Sequence, residues 1–153
     1  AAVLAGMAAL TGPRHGSAPA GLATLLPAVE AAGAPVAVRG WLAQGRRLPG
    51  FGHPLYPDGD IRASALLAHF ELPPAFADLA AAGRAITGEE PNVDFALAAL
   101  AHAFRLPADA PLLLFALARC VGWQAHALEQ NASGYLIRPR ARYTGPPVGG
   151  AVR

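Results

Sequence analysis

The amino-acid sequence predicts an all-α fold, and three observations support that prediction. Apolar residues recur at helical spacing in most segments of the chain. Prolines and glycines stand between those segments, at places where helices begin or end. The chain is 54% hydrophobic and only 14% charged, so its helices can bury a core or a large partner surface.

The first third of the chain contains three predicted helices and one long loop. Residues 1–10 are small and apolar, and the Thr-Gly-Pro that follows them ends the first helix. Residues 20–32 carry leucine and valine at helical spacing and are followed by a glycine. A proline in the first turn opens the helix 36–44. The stretch 46–59 is rich in proline and glycine, which predicts a loop.

Three shorter helices are predicted in the middle of the chain. Asp60 is a residue type that caps helices, and it precedes the helix 61–70. Two consecutive prolines open a helix that ends near residue 88. A Glu-Glu-Pro-Asn start leads into the helix 93–104.

The longest predicted helix, 112–130, is apolar nearly all round, and such a helix is normally buried. Arg119 lies within it and has no acid three or four residues away. A buried guanidinium needs a carboxylate or phosphate partner, which either another segment or a ligand supplies. His126 and Glu129, three residues apart, are interpreted as a structural pair near the helix end.

The composition of the 153-residue chain limits the classes of partner. All 12 basic residues are arginine and the net charge is only +2, which does not call for nucleic acid. The single cysteine, Cys120, lies in an apolar run and suits a reducing compartment, so we expect a cytoplasmic location. No signal peptide is visible, and no apolar run free of helix breakers is long enough for a convincing membrane span. The sequence opens without methionine inside a predicted helix, so we expect a fragment, with a trimmed small domain as the alternative.

Two histidines and one acid stand in local frames suited to chemistry. His15 follows a Gly-Pro break, although a lone loop histidine is more often a backbone cap. His53 ends the glycine-rich turn 49–53, whose free amides could meet phosphate or carbonyl oxygens. Asp94 follows Asn92 at a helix start, where the helix dipole alone explains an acid. A base at that position would need apolar surroundings to offset the dipole.

Other arginines extend the set of candidate binding residues. Arg62 lies one turn into the helix that follows the histidine-bearing loop, from which it could reach back toward that loop. Arg138, Arg140 and Arg142 alternate around a proline in a tail that is predicted to be extended from residue 134. The simplest interpretation is a solvated basic edge. A nucleic-acid-binding patch is the alternative, but it is weakly indicated because few aromatic residues lie between the arginines.

Taken in order, these segments resemble the C-terminal part of the citrate synthase family, over essentially the whole chain. The matching segments are Gly-Pro-Arg-His-Gly at 12–16, Pro-Gly-Phe-Gly-His at 49–53, Asp-Ile-Arg at 60–62, Asn-Val-Asp-Phe at 92–95, the helix 118–130 and the strip 136–145. The resemblance implies a helical small domain at 35–130. It also implies an end segment of the large domain at 1–34 and an extended segment at 131–153 that returns to the large domain or the dimer partner.

The resemblance also implies a Claisen condensation of acetyl-CoA with oxaloacetate that gives citrate and CoA. In that reaction His15 stabilises the enol of acetyl-CoA, His53 polarises the ketone of oxaloacetate, and Asp94 removes the methyl proton. CoA lies against the loop and the helix start, at Pro49, Gly50, Phe51, Gly52 and Asn92. No metal and no cofactor besides the acetyl-CoA substrate is implied.

Three arginines are implied to clamp the dicarboxylate of oxaloacetate. They are Arg62, Arg119 and, from the second subunit of a homodimer, Arg138. This assignment supplies the ligand partner that an arginine in an apolar helix needs.

Departures from the family pattern leave other activities open. Ser17-Ala18-Pro19 replaces the usual Gly-Ala-Asn, and Pro54 stands where an arginine is common. A relative of altered activity, such as a 2-methylcitrate synthase or a citryl-CoA lyase, is one alternative. A non-catalytic helical interaction module is another, and it would pair Arg119 with a protein carboxylate.

Overall fold

The computed structural model describes residues 1–10 and 18–145, and this part of the chain contains seven α-helices. The helices are α1 (Ala2–Leu10), α2 (Ala18–Ala32), α3 (Ala34–Leu42), α4 (Ile61–Leu67), α5 (Pro74–Thr87), α6 (Val93–Ala103) and α7 (Ala110–Ser133). The only β-type pairing in the described residues is an isolated antiparallel bridge between Phe51 and Pro91. The all-α prediction is confirmed.

The predicted helix boundaries hold where the sequence supplies a cap. Asp60 accepts the Arg62 amide at 3.0 Å as the N-cap of α4, and Asn92 caps α6 in the same manner. Gly88 ends α5 in the left-handed conformation, and Gly134 does the same for α7, which ends at Ser133, three residues later than predicted. Helix α4 ends at Leu67, earlier than predicted, where no glycine or proline marks its end.

The hydrophobic core lies between α2, α3, α5 and α6. Its fully buried large side chains are Leu22, Leu25, Val38, Phe76, Leu79 and Phe95. The rings of Phe76 and Phe95 meet edge to face with centroids 5.4 Å apart. This geometry is favoured for aromatic pairs and adds to the stabilisation from burial. The core therefore fixes the N-terminal turn of α6, which carries Asp94.

The prediction that the longest helix is buried is wrong for this chain. Helix α7 buries Ala110, Pro111 and Ala116, whereas Leu117 is 65% exposed and Val121 71% exposed. The reason is that α7 packs on only one side, where it contacts α6 and α1. At the second contact the indole of Trp123 covers Gly6, where a Cβ atom would lie 2.6 Å from the ring.

By length and composition alone, α7 is the one described helix that could cross a membrane, with a mean hydropathy of 1.2. A core helix of a soluble protein meets the same criteria, so this finding does not assign α7 to a membrane. The helix also carries Arg119, His126 and Glu129. The expectation of no membrane span stays a prediction.

Candidate active site

The loop at residues 49–53 is held in place by backbone pairing with the segment that precedes α6. The amide of Gly52 donates to the Glu90 carbonyl at 2.9 Å, and the amide of Asn92 donates to the Gly50 carbonyl at 2.8 Å. Gly52 has a φ of 67°, and a Cβ atom there would lie 2.7 Å from the carboxyl carbon of Glu89. Glycine is therefore required at this position by both conformation and space.

Phe51 anchors this loop in the core. Its side chain is 7% exposed, and its ring meets Phe95 edge to face with centroids 5.5 Å apart. The ring also lies against Gly83, where a Cβ atom would come within 2.4 Å of it. Phe51 can thus present little more than its backbone to a ligand.

Asn92 joins the loop to the start of α6. Its side-chain oxygen accepts the amide of Asp94 at 3.0 Å and that of Phe95 at 3.4 Å. Its side-chain nitrogen donates to the Gly52 carbonyl at 2.9 Å. Because protein groups occupy both ends of the amide, the observed contacts favour a positioning role over direct CoA binding. The sequence predicted Asn92 as a CoA-binding residue, and that role stays a prediction.

His53 is held in a defined tautomer. The amide of Leu55 donates to Nδ1 of His53 at 3.1 Å, so in the neutral ring the proton lies on Nε2. The imidazole is half-buried and lies against Tyr56, with ring centroids 5.0 Å apart. This arrangement leaves an N–H donor on the ring, which is what polarisation of a ketone oxygen requires.

Asp60 and Arg62 form a buried ion pair beside this loop. The carboxylate of Asp60 is 1% exposed and accepts Nε of Arg62 at 2.9 Å and Nη2 at 2.8 Å. It also accepts the amide of Val93 at 3.0 Å. Burial alone raises the pKa of Asp60, but the hydrogen bonds from Arg62 and Val93 outweigh it and hold that pKa below its ordinary value. The hydrogen bond to Asp60 raises the pKa of Arg62.

A cavity of about 1040 Å³ brings several of these residues together. Its wall includes His53 and Asp94, which are 41 positions apart in the sequence (94 minus 53), and also the loop 49–52 and Asn92. Asp94 is half-buried at the first turn of α6. A carboxylate and a hydrogen-bond donor therefore share one solvent-connected space, which is the arrangement that proton abstraction next to a carbonyl needs.

Two arginines that the sequence patterns did not predict as site residues also line this cavity. The guanidinium of Arg46 stacks over the ring of Trp41, with Cζ 3.5 Å from the ring centroid. Arg47 lies 3.7 Å from Glu89 and is 91% exposed, so this ion pair adds little stability. The signal that could have found these arginines is two adjacent cations immediately before a glycine-rich loop.

Three predicted site residues in the described part of the chain do not line this cavity: Arg62, Arg119 and Arg138. His15 lies outside the described residues. Arg62 reaches the cavity wall only through its partners Asp60 and Tyr56. Arg138 is exposed on the tail, and Arg119 is exposed on α7.

The predicted burial of Arg119 is wrong because α7 is covered on one side only. Its guanidinium folds back over its own helix, so that a Cβ atom at Gly122 would lie 2.8 Å from Nη1. Within the described residues Arg119 forms no ion pair with a carboxylate. The predicted pair of His126 and Glu129 is confirmed, at 3.1 Å, and lies on the surface.

Within residues 1–10 and 18–145, no group of three or more His, Cys, Asp or Glu side chains could hold a metal ion.

Comparison with known proteins identifies the family of this chain. Residues 1–140 match the family described as "Citrate synthase, C-terminal domain". "Citrate synthase 2" of Bacillus subtilis is 35% identical over 158 residues, which cover 94% of this chain and 42% of that protein. "Citrate synthase" of Haloferax volcanii is 38% identical over 156 residues, with coverages of 94% and 41%.

A solved structure gives the same result. The crystal structure of citrate synthase from Thermotoga maritima MSB8 superimposes with a TM-score of 0.65 at 29% sequence identity, covering 95% of this chain and 44% of that one. The chain thus spans less than half the length of the relatives that it matches. Because the family match extends over residues 1–140, the chain belongs to the citrate synthase family, of which it represents the C-terminal portion.

Proposed function

We propose that this chain is the C-terminal portion of an enzyme that condenses acetyl-CoA with oxaloacetate to give citrate and CoA. The observation that carries the proposal is that His53 and Asp94 line one cavity, each in the local sequence frame of the family. The remaining oxaloacetate contacts and the homodimer interface come, in this proposal, from the large domain that full-length relatives possess.

In the proposed reaction, Asp94 takes a proton from the methyl group of acetyl-CoA. The resulting enolate carbon forms a bond with the ketone carbon of oxaloacetate, while the ketone oxygen receives a proton from Nε2 of His53. Water then cleaves the thioester, which releases citrate and the thiol of CoA. His15 would stabilise the enolate, a role that rests on the family resemblance.

The rim of the cavity supports an anionic substrate such as CoA. Arg46 and Arg47 place two positive charges beside the loop 49–52, and Trp41 adds an aromatic surface. Guanidinium groups bind phosphate oxygens well because their donors match the geometry of the anion. These side chains are therefore proposed to face the phosphates of CoA.

A second candidate is condensation of a longer acyl-CoA to give 2-methylcitrate. It is favoured by one comparison: a protein of Corynebacterium glutamicum named "2-methylcitrate synthase 2" is 31% identical over 155 residues. The two activities use the same base and the same donor and differ by one methylene in the acyl pocket. Parallel assays with acetyl-CoA and propionyl-CoA separate them, because such a methylene is worth about 10- to 200-fold in discrimination.

The proposal is tested by measuring thiol release from acetyl-CoA and oxaloacetate with two proteins. One is this chain alone, which we expect to be inactive; the other is a chimera that joins it to the large domain of the Thermotoga maritima enzyme. In the active chimera, Asp94→Asn should lower the rate by at least ~10²-fold because the base is lost. Asp58→Asn, which removes an exposed acid from the same region, is the matched control. An Asp94→Asn chimera with full activity would refute the assignment of the base.

A further inference from the structure

Asp60 occupies an unusual position among the residues of the candidate site. It is 2% exposed, lines the cavity wall, and lies between the loop that carries His53 and the helix that carries Asp94. None of the proposed chemical steps uses it. A buried carboxylate costs free energy unless its oxygens are fully engaged, so its contacts indicate its purpose.

The contacts of Asp60 divide between two elements. At the start of α4, its Oδ1 accepts hydrogen bonds from the Arg62 amide at 3.0 Å and from Nε of Arg62 at 2.9 Å. Its Oδ2 accepts Nη2 of Arg62 at 2.8 Å and the amide of Val93 at 3.0 Å. Val93 is the first residue of α6, so a single carboxylate ties the start of α4 to the start of α6.

The pairing geometry also leaves one edge of Arg62 available. Asp60 occupies the edge formed by Nε and Nη2, and Nη1 has no hydrogen-bond partner among the described residues. The Tyr56 ring lies against the guanidinium, with Cζ 4.9 Å from the ring centroid, and the same ring contacts His53. One edge and one face of the guanidinium are thereby fixed, which leaves the Nη1 end as a pre-oriented donor for a second carboxylate.

We propose that Asp60 is a positioning residue, which orients Arg62 for a substrate carboxylate and at the same time fixes the first turn of α6, where Asp94 lies. The inference rests on the proposed function, because it assumes that the substrate is a dicarboxylic keto acid bound by Arg62. Asp60 touches neither the substrate nor the reacting atoms in this proposal and acts only through the two groups that it holds.

The experiment compares oxaloacetate binding to the chimera with the Thermotoga maritima large domain, and to its variants, by titration calorimetry. Asp60→Asn keeps the size of the side chain and one acceptor oxygen. It loses the negative charge and the bidentate contact with the guanidinium of Arg62. We expect it to weaken oxaloacetate binding by roughly tenfold or more, whereas Asp58→Asn should change binding by less than about twofold. Deuterium exchange at residues 93–95 should rise in Asp60→Asn and stay unchanged in Asp58→Asn.

A double-mutant cycle separates positioning from a general loss of structure. If Asp60 acts through Arg62, then Asp60→Asn should weaken oxaloacetate binding by less than about threefold when Arg62 is already replaced by Gln. An equal loss in both backgrounds, or no loss in either, overturns the inference.

If Asp60→Asn does not fold, Arg62→Lys provides the test. Lysine keeps the positive charge beside Asp60 but lacks the second guanidinium edge, at Nη1, that is proposed to bind the substrate carboxylate. Unchanged oxaloacetate affinity in Arg62→Lys, with helicity intact, overturns the inference. Absence of oxaloacetate binding by the unmodified chimera contradicts the proposed function itself, and the substrate role of Asp60 falls with it. Binding by the unmodified chimera that Asp60→Asn does not weaken contradicts only the inference.

Discussion

At the scale of single residues, the candidate site depends on side chains that hold backbone groups in place. Asn92 engages Gly52, Asp94 and Phe95, and Asp60 engages Arg62 and Val93. Each of them is almost completely buried. The chemistry proposed for His53 and Asp94 therefore requires a scaffold of polar groups that themselves take no part in the reaction.

Replacement of Asn92 by alanine should destabilise the folded chain by about 2 kcal/mol. The change removes the N-cap of α6 and leaves the Gly52 carbonyl without its donor, and each loss costs about 1 kcal/mol. Chemical denaturation of both proteins measures the difference. Asn131→Ala is the control, because Asn131 is exposed near the end of α7 and should give a change within about 0.5 kcal/mol. Equal effects of the two substitutions would show that the hydrogen bonds of Asn92 do not contribute to the free energy of unfolding.

The pH dependence of stability should reveal the buried carboxylate of Asp60. Its pKa is lowered in the folded state, so the ionised group stabilises the fold at pH values above its ordinary pKa of 3.8. That contribution is lost as the pH falls through the lower, folded-state pKa. The difference in unfolding free energy between the unmodified chain and Asp60→Asn should therefore be constant near neutral pH and shrink below pH 3.8. A difference that grows on acidification would contradict the direction of this shift.

Local sequence patterns singled out the candidate catalytic residues but not the buried groups that hold them in place. His53 and Asp94 were predicted from short local frames, and the structure places both on one cavity wall. Asp60 was predicted only as a helix cap. Its contact with Val93 joins residues 33 positions apart, and no local spacing encodes which distant amide a carboxylate will meet.

At the scale of helices, local signals determined the elements and tertiary packing determined their burial. The Asn92 cap and the Gly88 stop are encoded within a few residues, so α5 and α6 begin and end close to where they were predicted. The burial of α7 was predicted wrongly from its apolar composition. Composition shows that a helix can be buried, but only the surfaces packed against it determine whether it is.

The contact between α1 and α7 should be sensitive to the side chain at position 6. A Cβ atom at Gly6 would lie 2.6 Å from the ring of Trp123, so Gly6→Ala must displace the indole or separate the helices. We expect a loss of about 1–3 kcal/mol and a changed Trp123 emission spectrum. Gly40→Ala is the matched control, because nothing lies within 4 Å of a Cβ atom there. That change removes glycine from the interior of α3 and should stabilise the chain by about 0.5–1 kcal/mol.

At the scale of the whole molecule, the described part of the chain divides into a covered and an uncovered half. Helices α2, α3, α5 and α6 enclose a core, and the cavity lies beside it. Helices α1 and α7 cover each other along one side only. Leu113, Leu117, Val121 and Leu128 are each more than half exposed. At 100° per residue these four positions lie within about 80° of the helix surface, so they form one apolar stripe on α7.

This apolar stripe predicts that the 153-residue chain self-associates in solution. A contiguous apolar surface on a protein in water favours association. Each Å² of apolar surface that is buried in the contact stabilises the associated form by about 25 cal/mol. Sedimentation velocity should show dimers or larger species that dissociate on dilution. Leu117→Glu puts a charge in the middle of the stripe and should shift the protein toward monomer, because a charge is costly to bury without a partner.

Leu55→Glu is the control for this effect, since Leu55 is 78% exposed but lies on the loop beside His53, away from the stripe. It should leave the association state unchanged. If the unmodified chain sediments as a monomer at all concentrations, the stripe does not drive association. If both substitutions shift the equilibrium equally, the effect comes from net charge and not from the α7 stripe.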